Sequence, residues 1–305
     1  MQKAVNSRKP KILTIILALL LTVAAAAVCI LFWHYPHYCK QKAPITVDAA
    51  QSDEIKIMSY NVRCLTPLDL GKKSWYYRAD LIMSDIASEA PGIIGFQEAT
   101  KWQYRYLVDC MPQYDSVITY RDKSVASEGC PIFYNKDQFT LIDKGSFWLS
   151  ETPDVMSKDW GSACYRICSY VILTENASGK DFVVFNTHLD HVSDEARIKG
   201  IEVVLDKIQQ FGGLPAVIMG DLNAEAGSQT YISVTEHFMD ARYVATDADS
   251  GVTYQGWGEA EGKRIDYFMV SMTGFRACRY DVLTETHDGT YSSDHNPIVM
   301  TAVLE

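Results

Sequence analysis

Asn186-Thr187-His188-Leu189-Asp190-His191 follows a strand-like apolar run, Asp181-Phe182-Val183-Val184-Phe185. Polar and ionisable side chains packed at the end of a buried strand do not build a core; strand ends in α/β proteins are where ligands bind. Two more junctions repeat the pattern. Pro215-Ala216-Val217-Ile218-Met219 runs into Gly220-Asp221-Leu222-Asn223, and Ser293-Asp294-His295-Asn296-Pro297 precedes Ile298-Val299-Met300. Three such junctions in one chain point to a single site. Glu98 ends a further buried run after Gln97, and Asn61 ends another. Oxygen ligands without cysteine suit Mg²⁺ or Mn²⁺, hard ions that prefer carboxylate, amide and water. Such an ion polarises phosphoryl oxygens and supports in-line displacement. A general base needs a histidine held in one tautomer by a carboxylate, and Asp266 with His295 is the natural pair. His237 and His287 fall in a helix-like stretch and a loop and read as surface residues.

The elements that must position these residues follow from periodicity. Strands are expected over 54–62, 93–96, 114–119, 130–134, 139–149, 165–173, 182–186, 216–219, 264–270, 276–283 and 298–303. Helices are expected over 74–89, 102–110 and 193–211, the last capped by Ser193 and ended by Gly212-Gly213. Strands outnumber helices, and both hairpins and helical crossovers occur. An α/β (α+β) chain with two mixed sheets face to face and helices outside fits this better than one doubly wound sheet.

The ordered set Asn61, Gln97-Glu98, Asn186-Thr187-His188-Leu189, Gly220-Asp221-Leu222-Asn223, Arg264-Ile265-Asp266-Tyr267 and Ser293-Asp294-His295 resembles the endonuclease/exonuclease/phosphatase superfamily, which includes DNase I-like nucleases, sphingomyelinases and inositol polyphosphate 5-phosphatases. The resemblance covers residues 54–305 and looks like that of an exported bacterial member. It implies a four-layer α/β sandwich and metal-dependent cleavage of a phosphate ester. By resemblance Glu98 binds Mg²⁺ with Asn61 beside it, and Asp294 adds a carboxylate near the metal or His295. Asp221 and Asn223 position the attacking water and a phosphate oxygen, His188 stabilises developing charge, and His295 is the acid/base oriented by Asp266. Arg166 resembles an arginine of exported members that would bind phosphate; a surface ion pair is the other reading. His191 lines the pocket or packs beside the start of the helix at Ser193. Exported members often carry Thr-aromatic-His before the Arg-Ile-Asp strand; here Gln255 stands in the histidine's place, which puts a metal or phosphate role for that loop in doubt. Trp148, Trp160 and Trp257 stack on a base or sugar, or are core and rim.

Ile12 to Trp33 is 22 residues without a charge, enough to cross a hydrocarbon layer of about 30 Å. Lys3, Arg8, Lys9 and Lys11 precede it, which by the positive-inside rule places residues 1–11 in the cytoplasm and everything after residue 33 outside. An uncleaved single-pass anchor in the cell membrane is preferred over a signal peptide cut near Ala24–Ala27, which would yield a secreted protein. Residues 34–53 read as linker and 54–305 as the catalytic domain. Beyond residue 52 the chain holds 22 basic and 37 acidic side chains, a net charge of −15. Non-specific binding to long nucleic acid is driven by cationic patches, so a processive nuclease is disfavoured and nucleic acid enters only as a substrate. The expected partners are a phosphate ester and the membrane; nothing in the sequence points to a protein partner. The eight cysteines form no zinc pattern, and Cys164 and Cys168 either pair or pack on one face of a strand.

Overall fold

The structure is a computed structural model and describes residues 8–40, 44–45 and 54–305. In chain order the elements are α1 (Arg8–Lys40), β1 (Glu54–Asn61), α2 (Trp75–Glu89), β2 (Ile93–Gln97), β3 (Ala99–Thr100), α3 (Lys101–Cys110), β4 (Tyr114–Val117), β5 (Glu128–Gly129), β6 (Ile132–Asn135), β7 (Phe139–Trp148), β8 (Ile167–Glu175), β9 (Asp181–His188), α4 (Asp194–Gln209), β10 (Ala216–Asp221), α5 (Gln229–Thr235), β11 (Phe238–Asp240), α6 (Ala241–Val244), β12 (Asp247–Ala248), β13 (Asp266–Ser271), β14 (Phe275–Val282) and β15 (Ile298–Leu304). One sheet has seven strands in the order β12-β14-β15-β1-β2-β6-β4, and the other has six in the order β11-β13-β10-β9-β8-β7. Both mix parallel and antiparallel pairs, as β1 shows by pairing parallel with β2 and antiparallel with β15.

Strand alternation explains the layers. Ile55 and Ile57 of β1 join Val184, Met219, Phe268 and Met300 between the sheets, whereas Met58 and Tyr60 face outward onto Ile82 and Ile86 of α2 and Leu107 of α3. On the outer face of the second sheet, Phe185 and Ile218 pack on Ile201 and Val204 of α4. The order is helices, sheet, sheet, helices. Both faces of the central strands are buried, so those strands read as nearly continuous apolar runs.

Two positions bring the sheets and strands close at the rim that holds the polar junctions. Gly220 has φ of +134°, and a Cβ there would lie 1.9 Å from the carbonyl oxygen of Thr187; only glycine lets β10 approach β9 so closely. Asn186 joins the two sheets. Its amide nitrogen donates to the carbonyls of Phe96 and Pro131, both at 2.8 Å, and its oxygen accepts from Gln97 Nε2 at 2.7 Å.

Several boundaries differ from expectation. The strand expected from Tyr165 begins at Ile167, so Cys164 lies in the preceding loop, and the strand expected from Arg264 begins at Asp266. The described cysteines are free, Cys164 and Cys168 included. Residues 34–40, expected as linker, lie within α1. Residues 1–7, 41–43 and 46–53 lie outside the described residues. Ile45 is tied to the sandwich: its N–H donates to the Cys110 carbonyl at 3.0 Å, and its side chain packs with the outer cluster of the first sheet.

Candidate active site

Strands β1, β2, β9 and β10 end at one rim of the sandwich, and the antiparallel β13 begins there. The register makes this explicit, since Asn61 pairs with Gln97 and Asp221 pairs with both His188 and Asp266. Arg63, Glu98 and Asn223 each sit just past a strand end with φ of +52°, +62° and +47°. Left-handed backbone is costly for residues with a side chain and concentrates at functional sites.

These ends enclose a cleft of about 740 Å³ whose lining includes Glu98, Arg166, His188, His191, Asp221, Asn223, Asp294 and His295. Asp266 lies behind His295, with Oδ2 at 2.9 Å from its Nδ1. That contact directs His295 Nε2 forward, 3.7 Å from Asp221 Oδ2. His188 Nε2 is 3.3 Å from the same oxygen. The Asn61 amide nitrogen stands at the centre: 3.2 Å from Glu98 Oε1, 3.1 Å from Asp221 Oδ2 and 3.5 Å from His295 Nε2. The expected position of Asn61 beside Glu98 is found, but its oxygen accepts the Arg63 N–H at 3.0 Å. In this arrangement Asn61 holds Glu98 in place and offers it a donor. Asn223 donates from Nδ2 to the Leu189 carbonyl and from its backbone to Asp221 Oδ1, which ties the β9 and β10 loops together.

The electrostatics follow from burial and crowding. Burial, with the positive charge of Arg166 and His295, holds His188 well below the ordinary imidazole range. Burial also works against a charged His295, but Asp266, Asp221 and Asp294 outweigh it and push it up to about 10. Asp221 is pushed up to about 7 by burial and by Asp266. Glu128 is raised to about 7 by burial and Glu98. Burial opposes the Glu98 carboxylate, yet the Cys64 N–H, His295, Arg63 and Asn61 hold it below its usual value.

Carboxylates that raise one another's proton affinity fit a cation. Asp221, Asp266 and His295 place ligand atoms within 4.8 Å of one another. Two of those three already bond to each other, His295 Nδ1 to Asp266 Oδ2. Arg166 is no surface pair: it is 5% exposed, with Nη2 at 2.9 Å from His191 Nδ1. Its Nε lies 3.6 Å from Asp190 Oδ2, and neither Nε nor Nη1 has a hydrogen-bond partner. Buried donors without acceptors beside a cleft suit an anion. His191 is exposed at the mouth.

The sequence reading missed Arg63, Arg121, Glu128, Arg197, Tyr254 and Lys263, which also line the cleft. Arg63 had a signal, two residues past Asn61; Arg121, in a loop, and Glu128, which opens the two-residue strand β5, had none. His287, expected at the surface, is half-buried outside the cleft with Nε2 at 2.7 Å from Asp85 Oδ1. Gln255 is buried and serves its own turn, donating to the Ser293 carbonyl and accepting from the Gly258 N–H. None of the three tryptophans lines the cleft; Trp148 instead donates to the Arg121 carbonyl at 2.8 Å.

The sequence pattern of the Endonuclease/Exonuclease/phosphatase family matches residues 58–295, from the middle of β1 to His295. The chain belongs to this family. Among solved structures, an endonuclease/exonuclease/phosphatase from Bacteroides vulgatus superposes with a TM-score of 0.79 at 30% identity, covering 83% of this chain and 99% of that one. A mannosyl-6-phosphatase of Bacteroides thetaiotaomicron does so with 0.76 at 30% identity, covering 82% and 100%. Among curated proteins, an uncharacterized protein of Acanthamoeba polyphaga mimivirus is 33% identical over 161 residues, half of this chain and 60% of that protein.

Proposed function

We propose that the protein is a Mg²⁺-dependent phosphoesterase, with Mn²⁺ able to serve, that hydrolyses a small phosphate ester. The single observation that carries this is the Asn61 amide nitrogen lying within 3.5 Å of Glu98, Asp221 and His295 at once. A cation-binding carboxylate and a carboxylate-backed histidine thus share one cleft. Glu98, with Asp294 beside it, would hold the divalent ion, and Asn61, whose nitrogen faces Glu98 and whose oxygen is taken by Arg63, would orient that carboxylate. When bound, the ion polarises a phosphoryl oxygen and lowers the proton affinity of the groups around it. His295, oriented by Asp266, takes a proton from the attacking water at Nε2. Asp221 and Asn223 position that water and a phosphate oxygen. His188 donates a hydrogen bond to the developing negative charge. Arg166, with His191 against it, holds a further phosphate oxygen. The water oxygen bonds to phosphorus, the bond to the alcohol oxygen breaks, and the alcohol leaves with a proton. An extracellular nuclease uses the same residues; the negative charge beyond residue 52 argues against it.

The apolar span Ile12–Cys29, with a mean hydropathy of 2.8, supports reading α1 as a membrane anchor that holds residues 54–305 outside the cell.

The test is a panel of phosphomonoesters and phosphodiesters assayed with Mg²⁺ and with EDTA. Chelation should abolish turnover and Mg²⁺ restore it, and His295→Ala should lower kcat by about a thousandfold. Undiminished turnover in EDTA, or by His295→Ala, would sink the reading.

A further inference from the structure

We infer that Arg78 of α2, with Ser293, clamps the loop that holds Glu98 to the loop that carries Asp294, and so sets the spacing of the two carboxylates; this rests on the divalent-ion site of the reading above. Arg78 is wholly buried, and the acceptors of its guanidinium are backbone carbonyls. Nε donates to Lys73 at 2.7 Å, Nη1 to Val62 at 3.0 Å and to Ser292 at 2.7 Å, and Nη2 to Arg63 at 3.4 Å. The rings of Trp75 and Trp257 lie 5.9 and 5.0 Å from its Cζ. Burial pulls its proton affinity down to about 10, and the charge of Asp294 works against that fall. Taking a charge out of water is costly, and an apolar side chain of similar volume fills such a place without that cost. What the apolar side chain lacks is a rigid fork of donors that reaches several acceptors at once.

Those acceptors belong to two loops beside the cation site. Val62 and Arg63 open the loop after β1. In that loop the Cys64 N–H donates to Glu98 Oε2 at 2.9 Å, and the Arg63 N–H fixes Asn61. Ser292 lies in the loop between β14 and β15, directly before Ser293, Asp294 and His295. The ladder between β1 and β15 stops at the pair Ser59 and Ile298. Beyond it, side chains bridge the two loops. Nη1 of Arg78 bonds both at once. Tyr60 Oη braces Ser292 Oγ at 2.6 Å. Ser293 Oγ donates to the Asn61 carbonyl at 2.6 Å and lies 3.3 Å from Asp294 Oδ1. The loops face each other closely, with Arg63 Nε 3.9 Å from Asp294 Oδ2. Mg²⁺ demands near-ideal ligand geometry, and the hydrogen bonds behind its ligands govern affinity along with the ligands themselves. Arg78 and Ser293 are positioning residues in this sense, since they act through Glu98 and Asp294.

The test measures Mn²⁺ binding to the full-length protein in detergent by electron paramagnetic resonance, beside the Mg²⁺ dependence of p-nitrophenyl phosphate hydrolysis. Arg78→Met keeps much of the volume and removes every donor. It should weaken Mn²⁺ binding by about tenfold to a hundredfold, the range for lost hydrogen bonds behind metal ligands. The Mg²⁺ concentration that gives half the maximal rate should rise by the same factor, while kcat at saturating Mg²⁺ stays near the wild-type value. Ser293→Ala should weaken Mn²⁺ binding by about threefold to tenfold, the worth of one hydrogen bond. Ile86→Ala removes apolar bulk from the same helix and none of these bonds. It lowers stability but should leave Mn²⁺ affinity unchanged.

Wild-type Mn²⁺ affinity in Arg78→Met, or an equal loss in Ile86→Ala, overturns the clamp. Where Arg78→Met does not fold, as judged by circular dichroism, Ser293→Ala decides, and unchanged affinity there overturns the clamp as well. Wild-type protein that binds Mn²⁺ yet hydrolyses no phosphate ester overturns the phosphoesterase reading and leaves the clamp standing on its Mn²⁺ affinities. Wild-type protein that binds no Mn²⁺ removes the divalent-ion site and the clamp with it.

Discussion

Asp266 can steer His295 only if its own backbone is held still, and Thr253 does that. Thr253 is fully buried. Its Oγ1 accepts the N–H groups of Ile265 and Asp266, both at 3.0 Å, and its carbonyl accepts the N–H of Asn296 at 2.6 Å. One residue thus ties the strand that carries Asp266 to the loop that carries His295. Thr253→Val keeps the shape and removes the acceptor, leaving two buried N–H groups unpaired. We expect kcat to fall about tenfold with KM little changed, consistent with about 1–3 kcal/mol for buried unpaired groups. Thr253→Ser should restore most of the rate. Unchanged kcat in Thr253→Val, by steady-state kinetics, would remove this role. At this scale the sequence was informative about pairing: an Asp in one strand and a His before another were enough to anticipate the contact. It was silent on Asn61, whose nitrogen rather than oxygen faces Glu98, because that choice is made by the Arg63 backbone folding back on it.

The elements meet through Asn186, whose side chain lies at the sheet interface and is wholly buried. Its three hydrogen bonds reach β2, the residue before β6, and Gln97. Asn186→Leu fills a similar volume and leaves buried carbonyls and the Gln97 amide unmatched. Denaturant unfolding should show a loss of about 2–5 kcal/mol, the cost of several unsatisfied buried groups. A loss below about 0.5 kcal/mol, the size of an ordinary surface change, would show that the sheets hold without this bond set. The strands themselves were legible from alternation and apolar runs. Their ends were not, since Tyr165 and Arg264 continue the apolar or strand-like pattern, yet β8 begins at Ile167 and β13 at Asp266. Arg264 pairs with Asp240 at 2.5 Å and packs on the ring of Tyr267 at 4.5 Å, so packing decides its place.

For the molecule as a whole, the chain enters β1 at Glu54, and β1 reaches the cleft only at its other end, Asn61. Seven residue steps at about 3.3 Å put these points about 23 Å apart. The start of β1 and the cleft therefore lie at opposite ends of that strand, and Ile45 is held at the C-terminal end of α3 by its bond to the Cys110 carbonyl. A chain of residues 44–305, which keeps the Ile45 bond, should stay in solution and retain kcat/KM on a small ester within about twofold, as expected for a change distant from the site. The full chain should pellet with membranes and be released by detergent but not by high salt. Release by salt would replace the anchor with a surface attachment, and inactive 44–305 would show that the N-terminal segment contributes to the site.

From its residues alone the chain determined the types of side chain available to a phosphoesterase, their order along the strands, and the two-sheet arrangement, because apolar periodicity and polar strand ends are local signals. Only the tertiary structure decided which of those groups already satisfy one another. The unpartnered Nε and Nη1 of the buried Arg166, the lowered proton affinity of His188 and the place of Arg121 and Glu128 in the cleft depend on burial and on neighbours distant in the chain, and no local pattern encodes either.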